Sequence, residues 1–81
     1  MRLPRDLSGA DLIKRLSRFG YEVTRQTGSH VRLTSHDRGE HHLTIPNHDP
    51  LRIGTLAAIL DSVAAHHGLT RDELLQRLFD G

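Results

Sequence analysis

Between Leu12 and Ile45 the spacing of apolar residues changes once, from helical to alternating, and the change falls at a glycine. Leu12, Ile13, Leu16 and Phe19 recur every three or four positions and make one stripe of a helix. Ser8-Gly9-Ala10-Asp11 supplies an N-cap with an acidic residue three positions on, and Gly20 suits a left-handed stop. From Tyr21 the period is two, with Tyr21 and Val23 on one side and Glu22, Thr24 and Gln26 on the other. Thr27-Gly28-Ser29 is a tight turn. Beyond it Val31 and Leu33 continue the apolar side, and His30, Arg32 and Thr34 the polar one. His36-Asp37-Arg38-Gly39 is a second turn, and Leu43 and Ile45 mark a third strand with His42 and Thr44 opposite. The pattern predicts a three-stranded antiparallel meander whose apolar face meets helices and whose polar face stays open.

Pro46-Asn47-His48-Asp49-Pro50 is expected to be a loop, because proline lacks the donor a strand ladder needs. A second helix is expected from about Ile53, carrying Leu56, Ile59, Leu60 and Val63 and ending at Gly68. Thr70-Arg71-Asp72-Glu73 is a capping box that opens a short third helix with Leu74, Leu75, Leu78 and Phe79. The fold class is therefore α+β. Its 81 residues suit one domain, residues 1–81, with a core of about 8–64 and an extra C-terminal helix of about 70–79. Aromatic residues make up only 4%, which fits one thin layer of helices on one sheet and leaves little room for a large ligand cavity.

The absence of cysteine removes disulfides and Cys-containing zinc sites and suits a reducing cytosol. Met1-Arg2-Leu3-Pro4-Arg5-Asp6 lacks the apolar run of a signal peptide, and no stretch approaches the ~18 apolar residues of a membrane span. A soluble, cytoplasmic protein with no membrane partner is expected. The net charge of +1 hides an asymmetry, since residues 1–38 carry +4 and residues 39–81 carry −3. The N-terminal half could face phosphates, or the excess could be solvated surface charge.

Seven histidines raise the question of a metal. The neighbours His41 and His42, and His66 and His67, lack the i,i+4 spacing of helical zinc ligands, and adjacent residues point apart. No metal and no cofactor is expected. Ser29 next to His30 does not resemble a nucleophile elbow, and Gly28 alone is no phosphate cradle.

The informative unit is Gly28-Ser29-His30 after Arg25-Gln26, followed by Ile45-Pro46-Asn47-His48, Leu51, Gly54-Thr55-Leu56 and Ile59-Leu60. In these residues the chain resembles the HicA (YcfA-like) family of type II toxin–antitoxin ribonucleases, over roughly residues 8–64. The resemblance implies a fold similar to double-stranded-RNA-binding domains, cleavage of messenger RNA by a catalytic histidine corresponding to His30, and neutralisation by a HicB antitoxin in a hetero-oligomer. Two departures stand out. Many relatives have a second histidine where this chain has Val31, and many end near the second helix, whereas this one continues through Thr70–Phe79.

Metal-free RNA cleavage uses the ribose 2′-hydroxyl as nucleophile, so it needs a group that moves a proton near neutral pH and a cation for the phosphate. His30 and Arg32 share the open face by alternation, with Thr24 or Gln26 expected on the neighbouring strand. The bland alternative for His30 is a half-exposed strand histidine. Arg25 is a supporting candidate, Gly28 permits a positive φ, and Ser29 caps the turn or bonds His30 or a phosphate. His48, just before a helix, is either a second proton carrier or phosphate ligand, or a loop histidine that fixes the turn. Lys14 and Arg18 could rest on RNA phosphates, or Lys14, Arg15 and Arg18 form a solvated face with Asp11 pairing Arg15. His42 is expected on the polar sheet face; His36, His41, His66 and His67 are expected at the surface. A non-catalytic RNA-binding module, or a protein-interaction domain without RNA, remain open alternatives.

Overall fold

A computed structural model of the chain describes residues 3–79. Met1 and Arg2, which open the stretch read for a signal peptide, lie outside them. The order is α1 (Gly9–Arg18), β1 (Glu22–Thr27), β2 (His30–Ser35), β3 (His41–Pro46), α2 (Ile53–His67) and α3 (Arg71–Phe79). The sheet runs β1-β2-β3, antiparallel throughout. This is the expected α+β arrangement, similar to double-stranded-RNA-binding domains, with one helix added.

The helix ends follow their local chemistry. The Ser8 side chain accepts from the Asp11 N–H at 3.0 Å, which satisfies one of the donors a helix start leaves free. At the other end of α1 the Tyr21 N–H donates to the Leu16 carbonyl (3.0 Å) across Gly20, whose φ is +110°. α2 ends the same way, with Leu69 N–H on the Ala64 carbonyl (2.9 Å) and Gly68 left-handed at φ +67°. The capping box of α3 is reciprocal: Thr70 N–H donates to Glu73 Oε1 (2.9 Å) and Glu73 N–H to Thr70 Oγ1 (3.1 Å).

One core lies between the sheet and the helices. Leu12 and Leu16 of α1, Leu33 and Ile45 of the sheet, Leu56, Leu60 and Val63 of α2, and Leu74 and Leu75 of α3 are almost wholly buried in it. The added helix packs on α1 and α2 of its own chain. Arg15 helps to hold it, donating to the Leu78 carbonyl (2.9 Å) with its guanidinium 4.5 Å from the centre of the Phe79 ring. The expected solvent-facing Arg15 is thus a packing residue, its long stem covering apolar surface. Among the described residues no helix is long and apolar enough to cross a membrane.

The sheet departs from simple alternation in β1. Val23 pairs with Leu33 but Arg25, not Thr24, pairs with Arg32, so β1 carries one extra residue there. Such a bulge switches the facing of everything beyond it. Arg25 and Thr27 therefore join the open face, and Gln26, expected there, lies opposite Val31. Val23, expected in the core, is 51% exposed, because β1 is an edge strand with a neighbour on one side only. Thr34 is buried on the nominally open face, covered by Thr24 and His42, whose Oγ1 and Nδ1 lie 3.0 and 2.9 Å from its hydroxyl.

Three of the four histidines expected at the surface do not belong there. His67 is buried, and His41 and His66 are half-buried; His36 is exposed as expected. The Tyr21 hydroxyl sits between His41 Nδ1 (2.7 Å) and His67 Nε2 (3.0 Å), and His41 Nε2 is 3.1 Å from Ser62 Oγ. His66 Nε2–H donates to the Asp37 and Gly39 carbonyls (2.9 and 3.1 Å), and its ring stacks on His41 at 4.4 Å. Arg38 donates to the His67 carbonyl (2.9 Å). The cluster joins β3, α2 and the β2–β3 turn behind the sheet, and it can be fully satisfied with every ring neutral.

Candidate active site

The Thr27-Gly28-Ser29 turn sets the position of His30. Gly28 has φ +58°, a left-handed value that glycine adopts without the Cβ clash of other residues. Its side is open: a Cβ there would meet nothing within 4 Å. The Ser29 carbonyl accepts from the Asn47 N–H (2.6 Å), and the His48 carbonyl from the Gly9 N–H (2.8 Å). The loop after β3 thus ties the β1–β2 turn to the start of α1. A Cβ on Gly9 would collide with the Pro46 carbonyl oxygen and approach the Asn47 Cα to 2.9 Å, so only glycine fits this crossing.

His30 opens the central strand, paired with Thr27 on β1 and Pro46 on β3. It is exposed. Together with Arg25, Thr27, Arg32 and Thr44 it lines a depression of about 200 Å³ on the open face. One imidazole, two guanidiniums and two hydroxyls therefore line a shallow surface to which no hydrophobic residue contributes. That composition suits a charged, extended ligand better than a small apolar one. Arg25 belongs to it because of the bulge; straight alternation would have put it on the other face.

The remaining candidates are placed elsewhere. His48 lies in a separate depression of about 260 Å³ with Pro46, Arg52 and Thr55 at the start of α2, not in that of His30. Lys14 and Arg18 ride on α1, whose buried Leu12 and Leu16 pack on the covered face of the sheet, so they sit on the opposite side from His30. Ser29 contributes its carbonyl to the Asn47 bond and is not among the residues lining the depression. Thr27 and Thr44 were not singled out beforehand, although Thr44 was legible from its alternation with His42. The larger groove near the N-terminal segment, about 550 Å³ between Leu3, Arg5, Pro50 and Ile53, contains no histidine. Among the described residues, no group of three His, Asp or Glu side chains is placed to hold a metal ion.

Electrostatics set the two histidine groups apart. Burial, then the neighbouring His66, His67 and His42, pushes the His41 pKa down; burial and His66 also lower that of His67, against the opposing pull of Asp37. Burial, with the Asp37 charge second, drives the Tyr21 phenol up to about 12. These groups are tuned to stay neutral inside the fold. They lie on the covered side of the sheet, away from the depression of His30.

The family description "HicA toxin of bacterial toxin-antitoxin" matches residues 9–64, from the first residue of α1 to near the end of α2 and so across the whole sheet. No curated protein and no solved structure matches the chain. The matched segment contains the Gly-Ser-His turn, the bulged β1 and the loop that clamps them, and it spans well over half of the sequence. The chain therefore belongs to the HicA family, the toxins of bacterial toxin–antitoxin pairs.

Proposed function

We propose that this toxin is an endoribonuclease that cuts messenger RNA without a metal, with His30 as its catalytic residue. The observation that carries the reading is an exposed imidazole in the same depression as two guanidiniums, Arg25 and Arg32. In this reading the His30 imidazole takes the proton of a ribose 2′-hydroxyl, the freed oxygen attacks the adjacent phosphorus, and the bond to the 5′-oxygen of the next nucleotide breaks. The leaving oxygen takes a proton from water, and the His30 imidazolium gives up the proton it gained to the hydroxide so formed. Arg25 and Arg32 bind the non-bridging oxygens as charge builds on phosphorus, which is where fixed cations contribute most. Gly28 and Ser29 act indirectly, as the turn that aims His30.

His48, one depression away near a helix start, suits a phosphate further along the strand rather than the scissile one. Lys14 and Arg18, behind the sheet, contribute only to the long-range field in this scheme. The partner is a HicB-type antitoxin that covers the open face or the His30 turn in a hetero-oligomer, and the site of action is the cytoplasm.

Induced expression of wild-type and His30→Ala protein, with growth and messenger RNA integrity followed together, tests the proposal. Cleavage should fall by at least the ~10²-fold typical of losing a proton carrier, while RNA binding persists. Replacing the ribose at the cut by 2′-deoxyribose should stop cleavage altogether. Undiminished toxicity of His30→Ala would reject the catalytic role.

A further inference from the structure

We propose that a second depression on the open face is a base-recognition subsite for single-stranded RNA, in which Glu40 and His42 read the edge of a base one or two nucleotides from the cut. The inference rests on the ribonuclease reading for the identity of its ligand.

The second depression, about 350 Å³, adjoins that of His30 and shares Arg25 and Arg32 with it. Two hollows with common guanidinium walls make one track across the sheet. Besides the shared guanidiniums, the far hollow is lined by Thr24, Thr34, His36, Glu40 and His42, with Glu40 its one carboxylate. Thr34 stands four residues beyond His30 on β2 and pairs with His42. At about 3.3 Å per residue this separates the two histidines by roughly 13 Å. They cannot serve one phosphodiester group, so His42 meets a different nucleotide.

The charge of the far hollow says which part of that nucleotide it meets. Glu40 Oε1 lies 3.6 Å from His42 Nε2, and both side chains are substantially exposed. A carboxylate there repels a phosphate but accepts hydrogen bonds from the amino groups of bases. The phosphate between the hollows falls to Arg25 and Arg32, and the base to Glu40. His42 is held ready for this, since its Nδ1 is 2.9 Å from Thr34 Oγ1, which in turn is 3.0 Å from Thr24 Oγ1. The imidazole cannot turn without breaking that chain, and its Nε2 is left directed at Glu40 and the hollow. The bulge contributes again, because it brings Arg25 onto the open face beside Thr24, which alternation already placed there.

Glu40 as acceptor favours a base with an exocyclic amino group over one with a carbonyl in its place. Cytosine and uracil differ at that position in the same ring, so they make the discriminating pair. Binding of labelled cytidine and uridine hexaribonucleotides is measured by fluorescence anisotropy on the full His30→Ala chain, which removes cleavage from the readout. The cytidine hexamer should bind about tenfold tighter, the scale of one good base contact. Glu40→Gln, whose amide presents either a donor or an acceptor, should bring the two within about twofold, and His42→Ala should weaken the cytidine hexamer selectively. Arg32→Ala should weaken both alike and reduce the salt slope by about one. Equal affinities for the two hexamers, no binding of either, a preference that survives Glu40→Gln, or a Glu40→Gln gain shared equally by both would overturn the subsite. Cleavage of the same oligonucleotides by protein with His30 intact is scored separately. Base preference without cleavage refutes the nuclease, and cleavage without preference refutes only the subsite.

Discussion

Acidification from about pH 7.5 to 5.5 is expected to destabilise this fold through His41 and His67. Both have pKa values below the ordinary 6.5, burial being the largest cause in each. An imidazole of that kind binds fewer protons folded than unfolded, so stability is complete above pH 6.5 and is lost as the pH falls toward the lowered folded value. Each such histidine can contribute at most about 1.4 kcal/mol per pH unit. Two of them set a ceiling of about 3 kcal/mol by pH 5.5, a large share of the stability of a small domain. The geometry explains the sign. With the Asp37 carboxylate 3.8 Å from His67 Nδ1, the neutral network runs from the Tyr21 hydroxyl to His67 Nε2 and from His41 Nδ1–H to the Tyr21 oxygen. A proton added to His67 would turn its Nε2 from an acceptor into a donor facing a donor. Urea unfolding followed by far-UV circular dichroism at several pH values reads the effect directly. His67→Asn should reduce the slope below pH 6.5 by about half. The carboxyls of Asp61, held down by its Arg71 hydrogen bond, and Glu73, held down by Thr70, titrate in a lower window and do not mimic it. Stability that is flat or rises between pH 7.5 and 5.5 would refute the reasoning, as would an unchanged slope in the variant.

Two further outcomes follow from specific contacts. Gly9→Ala should cost about 1–3 kcal/mol by overpacking, and because the Pro46–His48 loop must then move, it should also lower RNA cleavage; urea midpoints and initial rates on one preparation check both. The chain has a single tyrosine, so its phenolate absorbance reports one group. The midpoint should lie at about 12 in the native protein and near the ordinary ~10 in urea, and coincident titrations would mean that the Tyr21 hydroxyl is not enclosed.

Much of the fold was legible because the apolar period is unambiguous. Leu12 and Leu16, Leu33 and Ile45, and Leu56 and Leu60 all point where their spacing directs them, and the capping residues mark the helix boundaries. The buried histidines were legible too, had polarity not outweighed position. His67 continues the α2 stripe one turn past Val63, and His41 has the same parity in β3 as Leu43 and Ile45. Partners elsewhere in the chain, Tyr21 and Ser62, make their burial tolerable, and a local pattern carries no trace of such partners. The bulge was illegible for a similar reason. An extra residue is defined by the pairing of two strands, so the side of the sheet that Arg25 takes cannot be deduced from β1 alone.

That irregularity leaves β1 one residue it could lose without changing any of its pairs with β2. Deleting Thr24 would restore an even ladder with Val23 still opposite Leu33 and Arg25 still opposite Arg32, so the guanidinium would keep its side of the sheet and the chain would lose only the hydroxyl that meets Thr34. A shortened protein of this kind should stay folded and keep the capacity to poison, because the codon removed carries neither the imidazole nor either guanidinium beside it.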